Sequence, residues 1–153
     1  MGKKVLIFGT QDTASLAHFY LKNDSEYQVE AFVVDKQYFD KNEFCDLPVV
    51  AFEDVDILYP KEHFNFFAPI YATNMNKTRK KIYDKIKLKG YNFISYISSK
   101  AVVWDEHQIG ENSFILEGVN IQPFSKVGNN NIIWSFSHLG HHSIIKDNVF
   151  VST

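Results

Sequence analysis

Residues 103–151 read VWDEHQ IGENSF ILEGVN IQPFSK VGNNNI IWSFSH LGHHSI IKDNVF V, which is eight hexapeptides and the first residue of a ninth. An aliphatic residue begins every one of them: Val103, Ile109, Ile115, Ile121, Val127, Ile133, Leu139, Ile145 and Val151. A period of six fits neither an α-helix nor a simple alternating strand. It predicts a β-solenoid in which each hexapeptide forms one flat side of a triangular coil, with its aliphatic residue pointing inward.

The positions between the aliphatic residues are rich in glycine, asparagine and aspartate, with glycine directly after the aliphatic at Gly110, Gly128 and Gly140. We expect these positions to turn the corners of the coil, where a positive φ must be tolerated. The alternative is a meander of short antiparallel strands. Nine aliphatic residues in unbroken register favour the solenoid.

Composition limits the remaining possibilities. The chain has 153 residues, 45% of them hydrophobic, which allows one domain or two small ones. Its net charge of -2 gives no general attraction to nucleic acid or to a membrane surface. No apolar run approaches the 18 or so residues that a membrane helix needs. Cys45 is the only cysteine, which excludes an intramolecular disulfide and fits a reducing cytoplasm.

The first part of the chain has a different pattern. Apolar runs and helical spacings predict strands at residues 4–8, 28–34, 48–51, 64–72 and 91–96, and helices at residues 14–22, 53–58 and 76–89. This alternation indicates a parallel α/β sheet over residues 1–97. Asp12 or Thr13 is the expected N-cap of the first helix, and residues 38–47 are expected to form a loop. Residues 98–153 form the predicted solenoid domain, and without a Pro/Ser-rich linker the two domains should pack directly.

Ligands of parallel α/β sheets bind at the carboxyl ends of the strands. Gly9, Thr10, Gln11, Asp35 and Asn74 fall at those ends and are the candidate substrate-binding residues. The dinucleotide fingerprint G-x-G-x-x-G is absent, so we do not expect a dinucleotide cofactor. A plain structural loop after the first strand is an equally consistent interpretation.

The helix predicted at residues 76–89 is strongly basic. Its cationic residues are Lys77, Arg79, Lys80, Lys81, Lys85, Lys87 and Lys89. A phosphate-binding or nucleic-acid-binding patch is one interpretation. We favour a solvated outer face, because acids elsewhere balance the charge and charge alone does not define a site.

Three stretches together point to a known family. They are the N-terminal βαβ pattern, YISSKAVV at residues 96–103, and IWSFSHLGHHSIIKDNVFVS at residues 133–152. The chain resembles the NeuD/PglD-type sugar O-/N-acyltransferases. The resemblance implies a small Rossmann-like domain that binds a sugar nucleotide, followed by a left-handed parallel β-helix. It also implies that the β-helix forms a homotrimer and binds acetyl-CoA between adjacent subunits.

The catalytic motif of that family is a histidine followed by an acid, then an aliphatic pair and Gly-Asp. Aligned here, the histidine is His141, the acid position holds His142, and the Gly-Asp position holds Lys146-Asp147. A further family histidine that contacts the acetyl group falls on Phe150. The resemblance therefore implies that the base is kept while its usual carboxylate partner is replaced by a second imidazole.

Acetyl transfer needs a base for the attacking hydroxyl or amine and a donor for the thioester oxyanion. Imidazole titrates near pH 6.5 in model compounds, so His141 is assigned as the base, with His142 or a carbonyl holding its second nitrogen. A backbone N–H near Gly140 or Phe150 is the candidate oxyanion donor on the acetyl-CoA side. His138 is assigned to the substrate. An incidental role in a solvated corner stays open for His138 and His142.

The sequence thus predicts an acetyl-CoA-dependent acetyltransferase acting on a sugar or nucleotide-linked amino sugar, such as a UDP-sugar, in bacterial surface glycan biosynthesis. Two alternatives remain. One is a Zn hydro-lyase of the γ-carbonic-anhydrase kind using His138, His141 and His142; the first interpretation requires no metal. The other is a non-catalytic sugar-nucleotide-binding module. Because the solenoid stops at Thr153 while the family continues for several coils, we expect an incomplete β-helix with weak activity.

Overall fold

The computed structural model of the chain describes residues 3–104 and 108–153. It opens with a βαβ unit made of strand β1 (Lys4–Phe8), helix α1 (Asp12–Asn23) and strand β2 (Gln28–Val34). Both strands match the prediction. The helix begins two residues earlier than predicted, so its N-cap is Gln11 rather than Asp12 or Thr13, and no side chain caps it.

The remaining elements of this part are two strands, a short helix, a third strand and a long helix: β3 (Glu43–Phe44), β4 (Leu47–Ala51), α2 (Val55–Leu58), β5 (Phe64–Phe67) and α3 (Lys77–Leu88). The five strands form one sheet in the order β3-β4-β2-β1-β5, in which only β3 runs antiparallel to its neighbour. The predicted parallel α/β sheet is confirmed. The loop predicted at residues 38–47 is wrong in part, because β3 forms a hairpin with β4.

The strand predicted at residues 91–96 is also wrong. Only an isolated parallel bridge from Phe93 to Phe66 connects this stretch to the sheet. Tyr96 and Ile97 instead form β6 and pair with a strand of the solenoid, so the first rung of the coil lies immediately before the predicted solenoid domain. The apolar pattern of residues 91–96 is explained by burial of Tyr91, Phe93, Ile94 and Tyr96 rather than by a continuous ladder.

The rest of the chain is a parallel β-helix built of two-residue strands. They are β6 (Tyr96–Ile97), β7 (Val102–Val103), β8 (Gln108–Ile109), β9 (Phe114–Ile115), β10 (Asn120–Ile121), β11 (Lys126–Val127), β12 (Ile132–Ile133), β13 (His138–Leu139), β14 (Ile144–Ile145) and β15 (Phe150–Val151). They stack into three parallel sheets, in the orders β13-β10-β7, β14-β11-β8 and β15-β12-β9-β6. Paired residues differ by 18 in number, as Asn120 and His138 do, so one coil contains three hexapeptides.

The aliphatic ladder forms the interior of the coil, as predicted. Ile115, Ile121 and Ile133 are completely buried, and Val127 and Leu139 are nearly so. Val103, Ile109, Ile145 and Val151 pack against this core with partial burial. Burial of each aliphatic side chain is worth about 1.5–3 kcal/mol, so the repeat itself supplies most of the stabilisation of the solenoid.

The prediction for the corners of the coil is confirmed in part, because Asn112, Gly118, Asn130 and Asn148 have positive φ. Gly110, Gly128 and Gly140 do not have positive φ values, and the positive φ falls on other residues: Asn112, Gly118, Phe124, Asn130, Phe136, His142 and Asn148. Gly110 and Gly128 are required for a steric reason. A Cβ on Gly110 would lie 2.6 Å from the Gly128 backbone, and one on Gly128 would lie 2.9 Å from the Lys146 backbone. Successive coils therefore approach too closely there for any side chain.

One corner is held by a ladder of asparagine side chains. Asn112 Nδ2 donates to Asn130 Oδ1 over 2.7 Å, and Asn130 Nδ2 donates to Asn148 Oδ1 over 2.7 Å. All three residues have φ between 54° and 61°, a region that asparagine tolerates better than other non-glycine residues. The ladder also reaches the sheet, because Asn112 Oδ1 accepts from the Ala68 N–H over 2.8 Å.

The sheet and the solenoid are in direct contact through the outer face of β6, β9, β12 and β15. Tyr96, Phe114 and Ile132 on that face share one buried cluster with Ala17 and Leu21 of α1. Within residues 3–104 and 108–153, no helix is both long and apolar enough to cross a membrane.

Polar contacts reinforce this interface. The Tyr20 hydroxyl donates a hydrogen bond to the Glu117 carboxylate over 2.5 Å. Burial, and then this hydrogen bond to Glu117, raise the pKa of Tyr20 to about 12. The same bond lowers the pKa of Glu117. Asp24 accepts from the Ser99 N–H at 2.9 Å and from the Tyr96 hydroxyl at 2.6 Å. Hydrogen bonds from Ser99 and then Tyr96 lower the pKa of Asp24 to about 2. The interface thus contains two carboxylates that favour the ionised form.

Candidate active site

The candidate base lies at an exposed corner of the β-helix. His141 follows strand β13 in the turn that leads to β14, and its side chain is solvent-accessible. Its backbone N–H donates to Gln122 Oε1, one coil away, over 2.9 Å. The turn is therefore fixed to the preceding coil while the imidazole stays free to meet a ligand.

The neighbouring imidazole holds this ring. Nδ1 of His141 lies 3.0 Å from Nδ1 of His142, and the two rings are nearly perpendicular. His142 itself has φ 59°, donates its N–H to the Pro123 carbonyl at 3.3 Å, and lies 4.8 Å from the Phe124 ring. A hydrogen bond between two Nδ1 atoms contains one proton, so one ring donates and the other accepts. When His141 is the donor, its Nε2 carries a free lone pair and can act as a base.

His138, the third histidine of this segment, is placed differently. It lies on β13 with its side chain exposed, beside Asn120 in the ladder, whereas His141 and His142 lie in the following turn. Across residues 3–104 and 108–153, no group of three histidine, cysteine or carboxylate side chains is arranged to hold a metal ion. The zinc interpretation therefore has no candidate site in the described chain.

A cleft of about 750 Å³ lies between the first turn of α1 and the solenoid. Polar residues from the N-terminal end of α1 form one wall: Gln11, Asp12, Thr13 and Ser15. Leu16, Phe19, Tyr71 and Trp134 form the apolar remainder. Tyr71, Trp134 and Phe150 are a mutually contacting aromatic cluster, with ring centroids 5.1–6.1 Å apart. A pocket with aromatic walls and a few polar groups suits an amphipathic ligand such as a sugar derivative.

The predicted substrate-binding residues do not all line this cleft. Gln11 does. Gly9 has φ 108°, a conformation that favours glycine, and its N–H donates to the Val33 carbonyl at 2.8 Å, so its evident part is the turn after β1. Thr10 is buried beside it. The assignment of these residues to a substrate stays a prediction.

Asp35 ends strand β2, as predicted, but its carboxylate forms an ion pair with Lys85 of α3. Nζ of Lys85 also lies 4.4 Å from the Phe8 ring and 4.5 Å from the Phe52 ring. The negative charge of Asp35 is therefore already balanced by the partly buried ammonium group of Lys85. A ribose hydroxyl that bound Asp35 would share the carboxylate with that lysine.

The remaining predicted site residues, Asn74, Gly140 and Phe150, lie in different parts of the molecule. Asn74 lies in a turn whose three residues, Asn74, Met75 and Asn76, all have φ between 49° and 62°, directly before α3. Gly140 lies beside His141, whereas Phe150 lies on the sheet-facing side of the coil within the aromatic cluster. Within one chain, the structure thus places Gly140 beside the candidate base, and Phe150 against Tyr71 and Trp134, which line the cleft.

One residue that the sequence interpretation placed on the solvent face is buried. Arg79 in the first turn of α3 is 1% exposed, and its Nε and both terminal nitrogens have no hydrogen-bond partner. Burial lowers the pKa of Arg79 to about 10. The signal was present in the sequence, because Arg79, Ile82 and Ile86 have the spacing of one helical face.

The sequence comparisons agree with the solenoid. Residues 106–141 match the family model of the bacterial transferase hexapeptide (six repeats). No curated protein sequence matches the chain.

Solved structures resemble nearly the whole chain. The acetyltransferase domain of PglB from Neisseria gonorrhoeae matches 97% of this chain and 70% of that one, with a TM-score of 0.79 and 16% identity. A mutant of GDP-perosamine N-acetyl transferase from Caulobacter crescentus, in complex with CoA and GDP-perosamine, matches 96% of this chain and 67% of that one, with a TM-score of 0.81 and 21% identity.

WeeI from Acinetobacter baumannii matches 95% of this chain and 68% of that one, with a TM-score of 0.76 and 21% identity. At these identities the likeness establishes the fold. The resemblance drawn from the sequence is therefore confirmed at the level of the fold.

Proposed function

We propose that the protein is an acetyl-CoA-dependent acetyltransferase that acetylates a sugar or a nucleotide-linked amino sugar in bacterial surface glycan biosynthesis. The observation that carries the proposal is the likeness of nearly the whole chain to an acetyltransferase domain and to an N-acetyl transferase bound to CoA and a nucleotide sugar. The likeness includes both the sheet and the solenoid, so it extends beyond the widespread hexapeptide repeat alone.

In this proposal His141 is the base. Its Nε2 accepts the proton of the acceptor amine or hydroxyl as the nitrogen or oxygen attacks the thioester carbonyl. The C–S bond then breaks, and the proton passes from His141 to the departing thiolate of CoA. His142 orients the ring through the contact of 3.0 Å between the Nδ1 atoms, in the place that a carboxylate holds in the resembled family.

The cleft beside α1 is the proposed acceptor site. Its aromatic wall offers a flat apolar surface to a sugar ring, and its polar wall offers hydroxyl, amide and carboxylate groups to the ring substituents. The backbone N–H groups at the start of α1 favour an anionic group such as a phosphate, since no side chain caps this helix.

A homotrimer completes the proposed site. His141 is not among the residues that line the cleft of its own chain, so a neighbouring subunit would have to bring the two together. Large apolar side chains on the solenoid surface support an interface: Phe124 is 51% exposed, Phe136 73% and Ile144 70%. Acetyl-CoA would bind between the subunits near Gly140.

The finer assignments belong to the same proposal. The β-helix is left-handed. Residues 1–97 form a Rossmann-like sugar-nucleotide-binding domain, and residues 98–153 form the acyltransferase domain. The first rung of the β-helix, Tyr96–Ile97, lies at the end of the first domain. The unpaired Cys45 supports a location in the reducing cytoplasm.

The test is release of free thiol from acetyl-CoA in the presence of a UDP-linked 4-amino sugar. We expect turnover by the chain and a loss of about 10²–10⁴-fold in His141→Ala, the contribution typical of a general base. His63→Ala is the matched control, because His63 is an exposed histidine in the turn before β5. Binding of the nucleotide sugar without thiol release would contradict the proposal and favour a non-catalytic binding module.

A further inference from the structure

The most unusual charge in the protein is the guanidinium of Arg79. The residue is 1% exposed, and Nε, Nη1 and Nη2 all lack a hydrogen-bond partner. An arginine side chain has five N–H donors and no acceptor, and its charge persists at all physiological pH values. A buried charge without a partner is strongly unfavourable, so this group requires an anion or acceptor that residues 3–104 and 108–153 do not supply.

The other cations of α3 show that the chain does supply carboxylates nearby. Each of four lysines of this helix region forms an ion pair: Lys80 with Asp84, Lys85 with Asp35, Lys87 with Glu111 and Lys89 with Asp56. These lysines are more accessible to water than Arg79, and their need for a partner is smaller. The outer lysines are therefore paired with carboxylates, whereas the buried arginine has no such partner among the described residues.

The position of Arg79 adds a second source of positive potential. It is the third residue of α3, a helix of 12 residues whose N-cap, Asn76, makes no side-chain capping bond. The first-turn amides of Thr78 and Arg79 are therefore not capped by a side chain. Side chains on a helix lean toward its N-terminus, which directs the guanidinium back over those amides.

Asn76 shares this environment. Its Oδ1 is buried and also has no partner. Asn76 is the N-cap of α3 and precedes Arg79 by three positions in the sequence. Rotation of the amide by half a turn exchanges Oδ1 for Nδ2 and makes it a further donor.

We propose that the buried guanidinium of Arg79 and the N-terminal amides of α3 form a binding site for a phosphate group. A phosphate presents three or more acceptor oxygens, and arginine can bind two of them with parallel N–H···O bonds. The helix dipole favours the same charge. The proposal does not depend on acetyl transfer, since it concerns only the charge and donors around α3. Free phosphate and the phosphates of a nucleotide share this chemistry, and the experiment separates them.

The experiment is thermal unfolding of the 153-residue chain at fixed ionic strength, in chloride, in inorganic phosphate and in UDP. At a phosphate concentration ten times the dissociation constant, we expect the midpoint to rise by about 4 °C relative to chloride. Stabilisation by UDP at a concentration at least tenfold lower than that of phosphate, and lost in Arg79→Met, would assign the site to a nucleotide. Equal effects of UDP and phosphate, both lost in Arg79→Met, would assign it to free phosphate.

Arg79→Met is the decisive variant, because methionine keeps most of the apolar length of the side chain and removes the charge. In chloride it should unfold at the same temperature as the unsubstituted chain or higher, and its shift in phosphate should be lost. Lys81→Met removes one charge from the exposed side of the same helix and should keep the shift.

Two results would overturn the proposal. The first is an unchanged midpoint in phosphate and UDP for the unsubstituted chain, a measurement that needs no variant and so does not depend on whether Arg79→Met folds. The second is a phosphate shift that persists in Arg79→Met and disappears in Lys81→Met. If Arg79→Met is destabilised in chloride and anions have no effect, Arg79 has a purely structural role.

Discussion

The contact between the two imidazoles allows a quantitative prediction about the proposed enzyme. His142 meets His141 through one hydrogen bond of 3.0 Å between exposed side chains. Such a bond is worth about 0.5–1.5 kcal/mol, and about 1.4 kcal/mol corresponds to a factor of ten in rate. Removing His142 should therefore lower kcat by about 2–12-fold, far less than the loss of about 10²–10⁴-fold expected for His141→Ala.

The variant to use is His142→Gly. His142 has φ 59°, so alanine would add backbone strain to the loss of the ring, whereas glycine tolerates this conformation. The assay is thiol release at saturating acetyl-CoA and acceptor, for the unsubstituted chain, both single variants and the double variant. Because His142 is proposed to act only through His141, the double variant should be no slower than His141→Ala alone.

Two results would refute this reasoning. A loss of 100-fold or more in His142→Gly would mean that His142 contacts the reacting atoms rather than positioning His141. Additive losses in the double variant would mean that the two histidines act independently. Phe124→Leu provides a milder perturbation of the same chain of contacts, because the Phe124 ring lies 4.8 Å from His142, and it should lower kcat less than His142→Gly does.

Three further predictions concern stability. Asn130→Ala should lower the free energy of unfolding, measured in urea, by about 2–4 kcal/mol, because it removes two hydrogen bonds and places alanine at a positive φ. Asn130→Gly should lower it by about 1 kcal/mol less, because glycine tolerates this φ. Equal losses would show that backbone conformation does not contribute. Ile133→Ala, at a fully buried ladder position, should cost about 2–5 kcal/mol, and a change below 1 kcal/mol would contradict the ladder core. Because the pKa of Asp24 is lowered to about 2 in the folded protein and is about 3.9 in an unfolded chain, its stabilisation is present above pH 4 and lost as the pH falls toward 2. Asp24 lies near the surface, where solvent weakens such interactions, so the difference in unfolding free energy between the unsubstituted chain and Asp24→Asn should shrink by only about 1–2 kcal/mol over that range. A constant difference would exclude this linkage.

The interior of the solenoid could be predicted from the sequence because one physical requirement fixes it. Each coil must present an aliphatic residue to the core at a constant spacing, and no other residue type satisfies that position as well. The corners could not be predicted in the same way. Phe124 and Phe136 adopt positive φ although neither favours it, since the turn is imposed by the stacked coils on either side.

The candidate site was predictable only in part. The resemblance to the family motif leads to the proposal of His141 as the base, but no pattern in the sequence indicates that Tyr71 meets Trp134, which is 63 positions later in the chain. Arg79 shows the opposite case. The prediction placed it with the other basic residues on the solvated face because basic residues are usually exposed, whereas its helical spacing with Ile86 fits the buried face that the structure shows. Long-range packing, rather than the local sequence pattern, determines both the contact between Tyr71 and Trp134 and the burial of Arg79.

The asparagine corner explains how these distant parts are held in register. Asn112 accepts a hydrogen bond from the Ala68 N–H and donates to the Ala68 carbonyl, while its amide also continues the ladder to Asn130. Ala68 directly follows β5, three residues before Tyr71 of the cleft. Because Asn112 is buried and both ends of its amide are used, a slip of the coil by one hexapeptide would leave these groups unpaired. The same bonds that fix the solenoid against the sheet therefore set the distance between Tyr71 and Trp134, and with it the width of the proposed acceptor site.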